Sequence, residues 1–385
     1  MKGFLTGATV AAAAAVLAIL GFEVLLRGIG YSAPTWHQPD ERLGWILRPG
    51  VGGWSTKEGR AFVQVNSSGA RDRDHRLHKP AGVYRIAVLG DSFSEAMQVE
   101  REQAFWALLP ERLRACGFQS AKRIEALNFG VSGYGTAQQY VMLESHAMRY
   151  SPDLVLLQFT NGNDVRDNHH ALSHEKARPF FMLERGGGVR LDESFAYAPG
   201  FRQRQSTVFD LARGLSDRLR VVQLVRDARQ SAPPFISQAQ AAGSEHGLDL
   251  AVLAPPREPV WEEAWRITEG AIGRLHDYAR RNRARFMVMT VPYAVQVDPD
   301  PKVRAALQAR LGVEDLFYPD NRIAALARKR GFDAVTVARV LQPVAEQTGI
   351  YFHGFENAIL GRGHWNAAGH SAAADLVALR LCNKG

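Results

Sequence analysis

The run Ile86-Ala87-Val88-Leu89-Gly90-Asp91-Ser92-Phe93-Ser94 joins an apolar stretch to a serine just past a glycine. The apolar part reads as a buried strand, and Ser92 would stand immediately beyond its carboxyl end. Open α/β sheets keep their chemistry there, in the crevice outside the strand ends. A serine hydroxyl in that place can attack an acyl carbonyl. It needs a base to take its proton and donors to receive the charge that builds on the carbonyl oxygen. Three later segments offer such groups. Asn128-Phe129-Gly130-Val131-Ser132-Gly133 follows a second apolar run, Arg123 to Leu127, and Asn161-Gly162-Asn163-Asp164 follows a third, Leu154 to Phe159. His364-Trp365-Asn366-Ala367-Ala368-Gly369-His370 lies near the C-terminus.

These residues need elements to position them. From Tyr84 onward strand and helix patterns alternate, which predicts a parallel sheet with helices on both faces. Helices are expected at Glu102–Cys116 and Ala137–Arg149, and further strands at Phe286–Pro292 and Phe332–Val337. A last helix over Asn366–Leu381 leaves His364 on the loop before it and puts His370 a turn inside. Trp261, Trp265, Thr268, Ile272, Leu275 and Ala279 recur at helical spacing and read as core. The alternation breaks over residues 165–256. Phe180–Leu183 and Val189–Leu191 flank Gly186-Gly187-Gly188 and predict a hairpin. Thr207–Arg229 predicts one amphipathic helix, and Ser231–Pro256 a mobile loop. An insertion near the strand ends is either a lid or a surface decoration. Upstream, residues 31–80 are rich in Gly, Pro and Trp and read as a β-rich lead-in packed on the core. Trp36, Trp45 and Trp54 read as packing residues there, with a sugar site as the alternative.

A Gly-Asp-Ser, a later glycine, a Gly-x-Asn-Asp and a late His, in this order, resemble the SGNH/GDSL hydrolase superfamily in a membrane-anchored, bacterial-type form. The landmark positions are Ser92, Gly133, Asn163 and His364, and the resemblance runs from Tyr84 to the C-terminus with insertions. It implies a three-layer α/β/α fold with a five-stranded parallel sheet, the flavodoxin-like SGNH hydrolase fold, over residues 81–385. It also implies roles. Ser92 would be the nucleophile and His364 its base. The Ser92 and Gly133 N–H groups and the Asn163 amide would form the oxyanion hole. Asp91 would cap the helix after Ser92 and Asp164 would hold the Asn163 loop, or both are ordinary turn residues. The sequence departs from the family where an Asp two or three residues before the His would orient the imidazole. Gly361 and Arg362 stand there. A Ser–His dyad is the plain reading, with Glu356 and Asp333 as candidate acids on the N-terminal side. The implied activity is hydrolysis of O-acyl esters, O-acetyl esters first, without metal or organic cofactor. The alternatives are an O-acyltransferase acting on envelope polysaccharide and a catalytically idle carbohydrate-binding or assembly protein.

The N-terminus sets the compartment. Gly3–Phe22 carries no charge, and the apolar run continues through Val24-Leu25-Leu26. About 20 apolar residues at 1.5 Å each cross a hydrocarbon core of roughly 30 Å. The length of the run and the lack of a small-x-small site after it favour a retained signal anchor over residues 1–30 rather than a cleaved signal peptide. The membrane partner would be met through residues 3–26, in the inner membrane as a single pass, with the body periplasmic or extracellular. Only two cysteines occur, Cys116 and Cys382. They either pair in an oxidising compartment or are two unrelated buried thiols. The 47 basic and 39 acidic residues include no long polybasic run, so no nucleic-acid partner is expected. His169-His170 reads as loop rather than a metal pair, since adjacent residues seldom share a ligand geometry.

Overall fold

The computed structural model describes residues 2–120, 122–231 and 249–383. Five strands form one sheet: β5 (Val83–Leu89), β6 (Arg123–Asn128), β7 (Leu154–Thr160), β10 (Arg285–Val291) and β11 (Asp333–Thr336). Their order is β11-β10-β7-β5-β6 and every pairing is parallel. All residues of β5 and β7 are buried, as strands covered on both faces require. Chain reversal at β5 puts β6 on one side and β7 on the other, so a crevice opens at the carboxyl end of β5.

Helices cover both faces. One face carries α4 (Thr136–Ser145) and α9 (Pro259–Arg281), with Tyr140, Leu143, Trp265 and Ile272 in its core. The other carries α3 (Phe105–Ala115), α12 (Val337–Thr348) and α13 (Ala367–Cys382), around Trp106, Leu109, Leu341 and Val377. Cys116 and Cys382 are disulfide-bonded, with Cα atoms 6.2 Å apart, and join the ends of α3 and α13. The α/β/α architecture read from the sequence is the one observed.

The lead-in is two antiparallel hairpins, β1 (His37–Asp40) with β2 (Gly44–Leu47) and β3 (Gly52–Ser55) with β4 (Ala61–Gln64). The insertion contains the hairpin β8 (Phe180–Leu183) with β9 (Val189–Asp192). Its amphipathic segment is two helices, not one: α7 (Thr207–Arg218) and α8 (Arg220–Ser231), parted at an extended Leu219. The break has a cause. The helix α1 (Lys2–Gly28) presents Glu23, whose carboxylate accepts the N–H groups of Arg220 and Val221, each at 2.9 Å. An N-terminal cap supplied from outside starts a new helix there. Of the loop expected at Ser231–Pro256, residues 232–248 lie outside the described residues; a short 3₁₀ turn follows at Leu250–Leu253. Helix α1 contains one stretch, Thr9–Gly28, long and apolar enough to cross a membrane.

Candidate active site

Ser92 opens α2 (Ser92–Glu95) directly beyond β5. Asp91 caps that short helix by accepting the Phe93 N–H at 3.0 Å. The N–H groups of Ser94 and Glu95 go to Asp91 O, so the turn that opens at Ser92 is closed on Asp91. His364 reaches Ser92 from the loop before α13, with Nε2 2.8 Å from Oγ. The loop is held by Asn366, which caps α13 through the Ala368 and Gly369 N–H groups and donates to Tyr351 O at 2.8 Å. The next residue, Trp365, is fully buried and packs edge-on against Phe93. Phe93 also lies beside the His364 ring, 5.0 Å between centroids.

A third group, which the sequence reading did not find, stands beside the Ser–His pair. Glu58 Oε2 stands 2.5 Å from His364 Nδ1 and also accepts the His364 N–H at 3.2 Å. Burial pushes the Glu58 carboxyl up, but the His364 contacts outweigh it and hold the group below its ordinary value. Glu58 sits in the β3–β4 turn, and Asn357 clamps that turn from the opposite loop. Its amide donates to Thr56 O at 3.1 Å and Gly59 O at 2.8 Å, while its carbonyl takes the Gly59 N–H at 2.9 Å. Gly363 is obligatory here. Its φ is +74° and an added Cβ would lie 2.5 Å from Glu58 Oε1. The two acids considered from the sequence, Asp333 and Glu356, are placed otherwise. Asp333 opens β11 at the amino end of the sheet and pairs with Arg380 at 3.0 Å and Arg285 at 3.4 Å. Glu356 is exposed.

Gly133 and Asn163 follow β6 and β7, the two neighbours of β5. Gly133 has φ +78°, and its loop is tied from behind: buried Glu95 accepts the Ser132 N–H at 3.0 Å and meets His37 Nε2 at 3.1 Å. Trp45 donates to Ser132 O at 3.0 Å. The Asn163 amide lies 3.3 Å from Asp91 Oδ2, one residue from the serine. An amide nitrogen carries two donors, so one remains for another acceptor. Asp164 accepts the Thr160 N–H at 2.6 Å and closes the Asn163 loop. Burial raises both Asp91 and Asp164, and for Asp164 the neighbouring Asp91 charge adds to it. His370 is buried, stacks on Phe105 and accepts the Phe105 N–H at Nδ1. Burial holds its ring down to about 3, so it is a poor proton acceptor where a base would work.

A cleft of about 650 Å³ contains Glu58, His364 and Ser132. Its walls come from the lead-in, with Trp36 and Trp54, from Ile29–Pro34 after α1, and from Arg226 and Asp227 of α8. The insertion thus reaches the cleft. Among the described residues no group of three or more His, Cys, Asp or Glu stands ready to hold a metal ion. A serine oxygen in line with an imidazole and a carboxylate, beside a helix N-terminus and two loops, can carry out acyl transfer.

The sequence matches no family model and no curated protein. Solved structures are similar at low identity. LAE5, described as an alpha/beta hydrolase from the metagenome of Lake Arreo, Spain, is 15% identical at TM-score 0.40, over 77% of this chain and 94% of that one. The acetyl xylan esterase AlAXEase is 13% identical at TM-score 0.40, over 76% and 97%. A catalytic mutant of Axe2, an acetylxylan esterase from Geobacillus stearothermophilus, is 12% identical at TM-score 0.39, over 77% and 94%. Likenesses at this level carry no inference about substrate or residue roles.

Proposed function

We propose that this chain is a membrane-anchored serine hydrolase of the SGNH type that cleaves O-acyl esters, O-acetyl groups on carbohydrate first among them. The observation that carries the reading is the line Ser92 Oγ, His364 Nε2, His364 Nδ1, Glu58 Oε2. In the reaction, Ser92 Oγ adds to the ester carbonyl carbon as His364 Nε2 takes its proton. Glu58 balances the imidazolium. The carbonyl oxygen, now an anion, is received by the Ser92 and Gly133 N–H groups and the Asn163 amide. The intermediate collapses, His364 protonates the departing alkoxide, and water repeats the sequence to free the acid. Trp36 and Trp54 line the cleft, and aromatic walls of this kind are compatible with a sugar-borne ester.

Two features support a place outside the cytoplasm. Helix α1 is long and apolar enough to span a bilayer, and the disulfide belongs to an oxidising compartment. The proposal is tested by labelling purified full-length protein with a fluorophosphonate and assaying p-nitrophenyl acetate. The wild type is expected to label and to turn over, and Ser92→Ala to do neither while keeping its melting temperature. Undiminished turnover in Ser92→Ala ends the serine mechanism. A wild type that neither labels nor hydrolyses points to the idle binding protein.

A further inference from the structure

From α1, α7 and α8 we infer that the α7–α8 hairpin lies in the lipid headgroup layer, beside the point where α1 leaves the bilayer. The inference rests on the reading of α1 as a membrane span. The first observation is an apolar stripe left exposed among the described residues. Val208, Leu211 and Leu215 fall on one side of α7 and are 73%, 70% and 61% exposed. Leu219 at the junction and Val222 and Val225 of α8 are exposed as well. No residue of α7 is buried, so it is not a core helix.

The second observation is depth. The hairpin meets α1 within the apolar span, not beyond it. Glu23 caps α8, and Arg27 donates to Arg218 O at 2.6 Å. At 1.5 Å per residue, Glu23 lies about 7 Å inside the span that ends at Gly28. If α1 crosses the bilayer, the α7–α8 junction is carried down to the hydrocarbon boundary with it. The Glu23 carboxylate is tolerable at that depth because two backbone N–H groups and Arg27 satisfy it. Interfacial helices commonly sit with their apolar side about 5–10 Å into this boundary.

The third observation is charge. Residues 199–231 contain seven arginines and three aspartates. Arg213 pairs with Asp210, and Arg48 and Arg226 share Asp217, so the excess is cationic and suits an anionic headgroup layer. The consequence for the site is direct. Arg226 and Asp227 of α8 and Ile29–Pro34 line the same cleft as His364 and Glu58. The cleft is thereby held at the membrane surface, open to an ester borne by a lipid-linked or surface-bound molecule.

The test places a nitroxide on single cysteines in the full chain, reconstituted in phosphatidylcholine–phosphatidylglycerol vesicles. Cys116 and Cys382 are paired and do not take the label. The positions are Leu211→Cys and Leu215→Cys, with Leu17→Cys in α1 as the deep reference and exposed Val340→Cys in α12 as the aqueous one. Collision with dissolved oxygen is compared with collision with a water-soluble nickel chelate. The expected result is shallow burial at 211 and 215, with the chelate excluded at least tenfold relative to position 340. Chelate access at 211 and 215 equal to that at 340, with Leu17 buried, overturns the inference and leaves the anchor standing. Chelate access at position 17 as well overturns both. Dipolar broadening between labels at 211 shows a second copy of the chain on the stripe and overturns the lipid assignment.

Discussion

At the residue scale the site depends on contacts that mutation can separate. Glu58→Gln keeps the shape but removes the charge that holds His364 Nδ1. A fall in kcat on the order of 10⁴ is expected, as for loss of the orienting acid in a serine triad. Glu356→Gln and Asp333→Asn, which do not touch His364, are expected to leave kcat near wild type. Steady-state kinetics on the three variants decide the point, and a wild-type kcat in Glu58→Gln restores the dyad. On the proposed mechanism Asn163→Ala removes a donor to charge that exists only in the transition state. It is expected to lower kcat by about 10²–10³ with KM little changed. An effect confined to KM moves Asn163 to substrate binding. The two proposed oxyanion positions, Gly133 and Asn163, were legible because each is a turn just past an apolar strand. Glu58 was not. Lys57-Glu58-Gly59 is indistinguishable in sequence from a solvated turn, and 306 residues separate Glu58 from its partner.

At the element scale, the lead-in is part of the site rather than a preface to it. The β3–β4 turn brings Glu58. Buried Arg71 donates to the backbone oxygens of Glu95, Ala96 and Val99 and so pins the segment after Ser92. Asp72 accepts the Asn128 N–H at 3.0 Å at the end of β6. The helices α3 and α13 are locked on the opposite face by Cys116–Cys382, which closes a separation of 266 residues. A cross-link of that span restricts the unfolded chain, and its loss typically costs about 2–5 kcal/mol. Reduction under native conditions is therefore expected to lower the melting temperature and to leave kcat near its oxidised value, since neither sulfur faces the crevice. Calorimetry with and without reductant checks this; an unchanged melting temperature shows that the cross-link does not stabilise the fold.

At the scale of the whole molecule, acid stability reflects groups buried around the site. Burial lowers His353 and His370 to about 3. Between the ordinary histidine value near 6.5 and that folded value, the unfolded chain binds protons that the folded chain refuses, so these two rings destabilise the fold as pH falls through that window. Buried Asp91, Asp164 and Asp320 are raised and act in the opposite sense, taking a proton in the fold before the unfolded chain does. The clean measurement is thus a difference. His370→Gln is expected to lose stability at pH 8 and to recover relative to wild type as pH falls from about 6.5 to 4. A difference in melting temperature that does not change with pH shows that the ring gains its proton equally in both states.

The sequence alone determined the layers of this protein and the chain positions of its crevice. Apolar runs of strand length alternating with helical periodicity can bury both faces of a sheet in essentially one way. A serine, a glycine and an asparagine just past three of those runs must then gather at one edge. The single apolar segment of membrane-spanning length was equally legible, because length and hydropathy are local properties. Three things were decided only by the tertiary structure: which acid meets His364, where the amphipathic segment breaks, and whether the two cysteines meet. Each joins groups hundreds of residues apart, or in the case of Glu23 and α8 nearly two hundred, through hydrogen bonds or a disulfide that leave no period in the sequence. Burial writes itself into residue type along the chain; pairing between distant polar groups does so only once the backbone has brought them within about 3 Å.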